Sequence, residues 1–395
     1  MKNSDYLGIV IRKRRKELGL KTEQLAKKAN YSRSHISRVE NGTIDVNDEV
    51  YSVIFKILGI TYKSNVDSTE FNNDIEKILN MFLFNDVDRK FIEKVIKSSE
   101  KYICSKSYPK YLIANMIYKI NFYPLSDETG KYINEMTKIA ELYNQKEKQI
   151  VYDYIGCYYM DSNFELAKEY FNKALECGKY KHATSLLYYH LGMLYFRLGS
   201  YFEAYEFCRK AFDEFSLELN YKRMFYTKLH MAIINSKSGN YDNAYSLFNE
   251  MIHNPNHTDV QLQLVYGNLC WLLIKKSKFD EALIYALKSS KNYPDYYFHL
   301  AIIYIALNQN EDANRIIIDG LSKLKDEFQR NKLKILKKSI DGETKDQAYE
   351  ELLIETYNYI YNNKDSESIL YIKNLLIDYY KTKHAYKEMY KYMIK

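Results

Sequence analysis

Hydrophobic positions recur at helical spacing almost from the first residue. Leu7, Ile11 and Leu18 share one face of the segment 7–17, which predicts an amphipathic helix that Gly19 ends. TEQLAKKA (22–29) predicts a second helix, and Asn30 stands where the chain must turn through a conformation that Asn tolerates. Ser32 is placed to cap a third helix in SRSHISRVEN, and Gly42 suits its C-terminal stop. Asn47 followed by Asp48 and Glu49 predicts a fourth, with a good cap and acids at the positive end of the helix dipole. From Ile60 to about Asn72 the chain turns polar and aperiodic. Beyond it, helical periodicity runs to the C-terminus.

The expected core of helices two and three is Leu25, Ala26, Ala29, Ile36 and Val39. Ala26 matters most, because a tight turn brings the two helices together and only a small side chain fits at their crossing. A small residue, the turn residue four on, and a β-branched residue six beyond that is helix-turn-helix spacing. Charge agrees. Residues 1–60 hold 12 Lys/Arg against 7 Asp/Glu, so +5 of the net +7 lies there, including the run Arg12, Lys13, Arg14, Arg15, Lys16. A basic module on a near-neutral body directs any polyanion to the N-terminus.

The segment LGIVIRKRRKELGLKTEQLAKKANYSRSHISRVENG resembles the Xre/Cro-type phage-repressor domain, whose pattern reads IRxLRxxxGLSQxxLAxxxGVSRSxISRxExG. The resemblance implies binding to double-stranded operator DNA, with the third helix in the major groove. Its outward residues are Arg33, Ser34, Ser37 and Arg38. The two arginines are the expected base readers, since a guanidinium can grip guanine O6 and N7 with two hydrogen bonds. Ser32, Thr22, Arg12 and Arg15 are the expected phosphate contacts, which position without reading sequence. For Arg12 and Arg15 a helix-surface ion pair is the competing reading, and His35 faces either phosphate or its own neighbours. The family's Ser-Gln pair opening helix two is Lys21-Thr22 here, which keeps a backbone contact and leaves the Gln's base-adjacent role without a residue.

The body repeats. In YYHLGMLYFRLGSYFEAYEFCRKA (188–211), Tyr188, Leu191, Gly192, Tyr195, Gly199, Tyr201, Ala204, Cys208 and Ala211 fall at tetratricopeptide spacing. The frame recurs at Ala167, Ala244, Ala282, Ala313 and Met389; one copy, within 325–365, is too degenerate to place, and 73–150 matches weakly. Each unit is a helix pair. A small residue on the first helix (Gly156, Gly192, Ala232, Cys270, Ala301) lets the second approach, and an alanine there returns the favour. Such pairs bury their apolar faces only by stacking, which predicts a right-handed superhelix with a groove. Five residues after each small residue the chain reads Asp161, Arg197, Lys237, Lys275 and Ala306, so three consecutive units offer a cation at one place. With Tyr189, Phe196, Tyr226, Trp271 and Phe298 beside it, the row suits an extended peptide. Solvated cations beside packing aromatics would produce the same pattern.

Composition removes other classes. The 13 Gly and 4 Pro leave little room for the turns of a sandwich or barrel, and 42 Tyr fit a genome of low GC content. The five cysteines are unclustered and the eight histidines form no metal spacing, so reduced thiols, no metal and no cofactor are expected. No P-loop, dinucleotide fingerprint or nucleophile elbow points to an enzyme. No signal peptide or membrane span is legible, which places the chain in the cytoplasm.

The whole is therefore expected to be all-α: a helix-turn-helix domain over 1–60, a linker over 61–71, and a tetratricopeptide superhelix over 72–395 for peptide binding and dimerisation. That architecture resembles the RRNPP family of peptide-responsive regulators. The resemblance implies a cytoplasmic homodimer on operator DNA, switched by a short signalling peptide in the repeat groove. Two other readings stay open: a bifunctional member that also binds or dephosphorylates a response regulator, and a protein-interaction scaffold.

Overall fold

A computed structural model describes residues 3–363 and 366–393, and the regular structure among them is helical throughout. Two compact units emerge, Met1–His230 and Met231–Lys395.

The first unit opens with α1 (Asn3–Glu17), α2 (Thr22–Ala29), α3 (Arg33–Glu40) and α4 (Asp48–Ile57). The caps act as their chemistry predicts. Ser32 Oγ accepts from the His35 amide and Asn47 Oδ1 from the Val50 amide, both at 3.1 Å. Asn30 takes φ 58° and ψ 39°, the left-handed residue of the turn. Leu25, Ile36 and Val39 are fully enclosed and Ala26 nearly so. Complete burial of each larger side chain contributes about 1.5–3 kcal/mol. Leu18, expected on the buried face, is exposed because α1 has ended before it.

The stretch after α4 is pinned down. Tyr62 stacks against Tyr51 and Phe55 and donates to Asp48 at 2.8 Å. Residues 69–237 then form α5 (Thr69–Leu83), α6 (Arg89–Ser98), α7 (Tyr108–Phe122), α8 (Asp127–Ile139), α9 (Gln145–Tyr159), α10 (Phe164–Glu176), α11 (Ala183–Arg197), α12 (Tyr201–Leu217) and α13 (Tyr221–Lys237). The four-helix module shares a core with these helices. Ile9 of α1 belongs to the same apolar cluster as α5, α7 and α9, and Lys13 pairs with Glu135 of α8 at 3.2 Å.

Helix pairs close as the small-residue rule requires. A Cβ on Gly192 would come within 2.6 Å of Cys208 Sγ, and one on Gly156 within 2.7 Å of the Phe171 ring. Ala167 and Ala204 are wholly enclosed on the opposing helices.

The second unit continues with α14 (Tyr241–Ile252), α15 (Asp259–Lys275), α16 (Phe279–Lys288), α17 (Tyr296–Ala306), α18 (Asn310–Lys323), α19 (Glu327–Ile340), α20 (Gln347–Asn363), α21 (Ser366–Thr382) and α22 (Tyr386–Met393). Ala244, Ala282, Ala313, Cys270 and Ala301 are all enclosed, so the template positions are packing positions here too. The copy too degenerate to place is α19 with α20. Its pattern is disguised because a lysine, Lys332, occupies a core position at 1% exposure. Lys332 pairs with Asp295, and its ammonium lies 4.7 Å from the Phe298 ring centroid and 4.9 Å from that of Phe328.

Candidate functional site

Two surfaces of the first unit carry chemistry. The first is α3. Arg33, Ser34 and Arg38 are exposed and Ser37 is half-buried, so the expected reading face is open to solvent. Arg33 reaches back to Glu23 of α2 at 3.0 Å, with both side chains mostly in water. A pair so exposed is worth at most about 1 kcal/mol and yields readily to a better anion. Ser32, besides capping α3, lies exposed beside it; Thr22, first residue of α2, is half-buried. The ammonium of Lys16 is pushed below its ordinary value, by burial first and then by Arg12, Arg15 and Lys138, so this end of the module is strongly positive.

Two of the expected contacts are structural or constrained. Arg15 is buried, its Nη2 2.8 Å from Glu40 Oε2, its Nε also on that carboxylate, and its Nη1 2.7 Å from the Leu20 carbonyl. The pair ties α1 to α3. Its guanidinium is spent inside the domain, so Arg15 is not placed to meet a phosphate, and the ion pair is buried rather than on the helix surface. Arg12 is half-buried and donates to Asn41 Oδ1 at 3.1 Å, just past the end of α3. His35 settles on local packing: it stacks on Tyr31 at 4.8 Å.

The second surface lies where α5, α7, α9 and α11 share a face. They enclose a cavity of about 360 Å³. Leu79, Leu83, Ile113, Ile117, Ile150 and Leu186 supply its apolar wall, and Glu76, Lys110, Glu147, Asp153 and Lys181 its charges. Lys110 and Glu76 pair with each other. Burial holds the Glu147 carboxyl above its usual range. The N-terminal end of α13 clamps the C-terminal end of α5: Arg223 Nε donates to the Leu83 carbonyl at 2.9 Å, Arg223 Nη2 reaches the Phe82 carbonyl, and Asn220 Nδ2 donates to Leu83 at 3.3 Å. Those carbonyls are the unpartnered ones a helix leaves at its C-terminus, where a cation is favourable.

The residues expected to hold a peptide stand elsewhere. Tyr189 and Phe196 are half-buried farther along α11. The Arg223 guanidinium lies 5.5 Å from the Tyr189 ring, and burial raises that phenol to about 12. Arg197 pairs with Asp161, so that point of the cation row is neutralised within the chain. Tyr226 meets Phe225 edge-on. In the second unit, Lys237 ends α13 and Lys275 lies 5.8 Å from the Trp271 ring, with burial lowering its pKa. Trp271 stacks on His299 at 5.1 Å. Phe298 is a correction: at 4% exposure, between Trp271, Tyr371 and Lys332, it is core and not groove wall.

Residues 11–63 match the family described as Helix-turn-helix. No curated protein matches the chain in sequence. Among solved structures, the apo form of the quorum sensor NprR from B. thuringiensis aligns over 82% of this chain and 97% of its own, at 17% identity and a TM-score of 0.65. NprR in complex with its cognate peptide NprX aligns over 82% of this chain and all of its own, at 17% identity and a TM-score of 0.58. A Rap protein complexed with competence and sporulation factor aligns over 82% and 96%, at 13% identity and a TM-score of 0.61. These likenesses establish the tetratricopeptide-type fold. No helix among the described residues is long and apolar enough to cross a membrane.

Proposed function

We propose that this chain is a transcriptional regulator that binds operator DNA through α3 and changes its DNA affinity when a short peptide occupies its repeats. The observation that carries the reading is the union, in one compact unit, of an open recognition helix with an amphiphilic cavity between stacked helix pairs. The fold it shares with a peptide-bound NprR supports the same reading. In our assignment Arg33, Arg38, Ser34 and Ser37 face the bases, and Thr22, Ser32 and Arg12 face phosphates. The peptide's anchoring side chains enter the cavity at Leu79, Ile150 and Leu186, and its remaining length follows α11 past Tyr189 and Phe196. Within the same unit, Arg197 and Tyr226 form an outer set for its polar groups. A single recognition helix buries little DNA surface, so two copies on a near-palindromic site are required.

The test begins by selecting duplexes from a random pool with the full chain. Arg38→Ala and Arg33→Ala should each weaken binding to the selected duplex by about 1–3 kcal/mol and leave a scrambled one nearly unaffected. Equal losses on both duplexes would remove the residue from the reading face. Calorimetry against a library of short peptides then checks the cavity: Ile150→Arg should abolish binding at unchanged melting temperature. Binding that survives Ile150→Arg and is lost in Lys237→Glu would move the ligand to the cation row. A chain that binds no duplex above background would favour the scaffold.

A further inference from the structure

Three side chains able to bind a metal cluster at the wall of the cavity, which only Asp153 of them lines. Asp153 and Cys157 stand one helical turn apart on α9, and His190 meets them from α11. Their donor atoms all lie within 4.8 Å of one another. Both Asp153 oxygens are 3.0 Å from His190 Nδ1. Asp153 is 2% exposed, and that one ring nitrogen is the only hydrogen-bond donor it meets among the described residues. A buried carboxylate has about four lone-pair sites and is costly to enclose unless donors or a cation occupy them. The His190 ring is held by Tyr154 and Tyr189, edge-on at 5.5 and 5.8 Å.

One oxygen, one sulfur and one imidazole nitrogen form a donor set of intermediate softness. That set suits zinc and its neighbours over calcium or magnesium, which take oxygen alone. Three protein ligands leave a fourth tetrahedral position open. Metal–ligand bonds of about 2.0–2.3 Å put tetrahedral donors about 3.5 Å apart, so the cluster must contract by roughly an ångström, within reach of side-chain rotation. Charge closes as well: a dication, the Asp153 carboxylate and a Cys157 thiolate sum to zero in a buried place. The guanidinium groups whose charge reaches Cys157 are otherwise engaged, Arg197 by Asp161 and Arg223 by the carbonyls of α5.

We propose that Asp153, Cys157 and His190 bind a transition-metal dication of the zinc class, with water or a ligand atom from the adjoining cavity in the fourth position. As the sulfur–metal bond forms, the thiol proton leaves to solvent, and nothing is oxidised or reduced. Asp153 also lines the cavity, so the ion would stand at its wall. The proposal does not depend on a peptide ligand.

The test uses the full chain, stripped with a chelator and titrated with cobalt(II). One ion per chain should bind with the visible bands of tetrahedral cobalt and a near-ultraviolet thiolate-to-cobalt band, and zinc should displace it. Cys157→Ser should abolish the thiolate band, and His190→Ala should weaken binding at least tenfold, each with an unchanged far-ultraviolet spectrum. If either variant unfolds, Cys157→Ala and His190→Gln replace it. The absence of both bands overturns the proposal. So do bands that persist unchanged in the Cys157 and His190 variants, which would place the ion at another thiol.

Discussion

In the helix-turn-helix module the side chains proposed to read DNA sit together on one eight-residue helix; the cavity collects its wall from four helices spread over residues 76–186. The first surface follows from local rules. A cap, a left-handed Asn and a buried Ala settle how α2 and α3 cross, and whatever points outward on α3 is the proposed reading face. The second surface has no local rule. Which residues of α5 face those of α11 depends on how far each intervening pair rotates, a packing quantity that no single repeat encodes. A pattern-based reading therefore finds α3 and misses the cavity, whose lining includes none of the residues expected to hold a peptide.

The most severe way to break this contrast is to remove the tertiary pair hidden inside the local module. Arg15→Ala leaves Glu40 buried without its partner and should cost about 3–5 kcal/mol. In full-length protein, hydrogen exchange should rise across α1–α4 first, with α9–α12 still protected. Loss of DNA binding without faster exchange would return Arg15 to the phosphate contacts.

Next in size is a pH effect confined to the repeats. Burial lowers His299 to about 4 from an ordinary value of 6.5. The folded state refuses a proton that the unfolded state accepts, so stability is full above about pH 6.5 and falls as pH drops towards 4. The loss is on the order of 3 kcal/mol at the lower end. Melting curves from pH 7 to 4 should decline less steeply in His299→Phe. An identical decline would assign the acid sensitivity elsewhere.

Gly192→Ala sharpens the small-residue rule. Its new methyl would meet Cys208 Sγ at 2.6 Å and the Ala204 carbonyl oxygen at 3.3 Å. Overpacking of this kind costs about 1–3 kcal/mol. Adding Cys208→Ala should recover part of that, which a double-mutant cycle measures; no recovery would mean that the backbone contact dominates.

The smallest effect tests the local rule itself. Asn30→Ala places an ordinary side chain at φ 58° and should destabilise the module by about 1 kcal/mol. Asn30→Gly should be near neutral. Chemical denaturation resolves both, and equal losses would point to the Asn side chain instead of the backbone.

Reading the chain alone reached α1–α4 and their caps, the packing alanines and the repeat frame, because turns, caps and helical periodicity act over a few residues. It lost the α19–α20 pair to a buried lysine, since a pattern of apolar positions cannot anticipate that Asp295 and two aromatic rings will neutralise Lys332. It placed Arg15 at a phosphate and Phe298 on a groove wall, because residue type names what a side chain can do and burial decides what it does.

The sequence by itself determined an all-α chain that opens with a helix-turn-helix, set by steric and hydrogen-bonding rules of short range. Tertiary structure alone decided that α5 is clamped by Arg223 some 140 residues away, that the cavity lies between alternate helices, and that Asp153, Cys157 and His190 meet. Those distances are set by how successive helix pairs stack, and stacking sums many weak contacts in which no one residue carries a readable share.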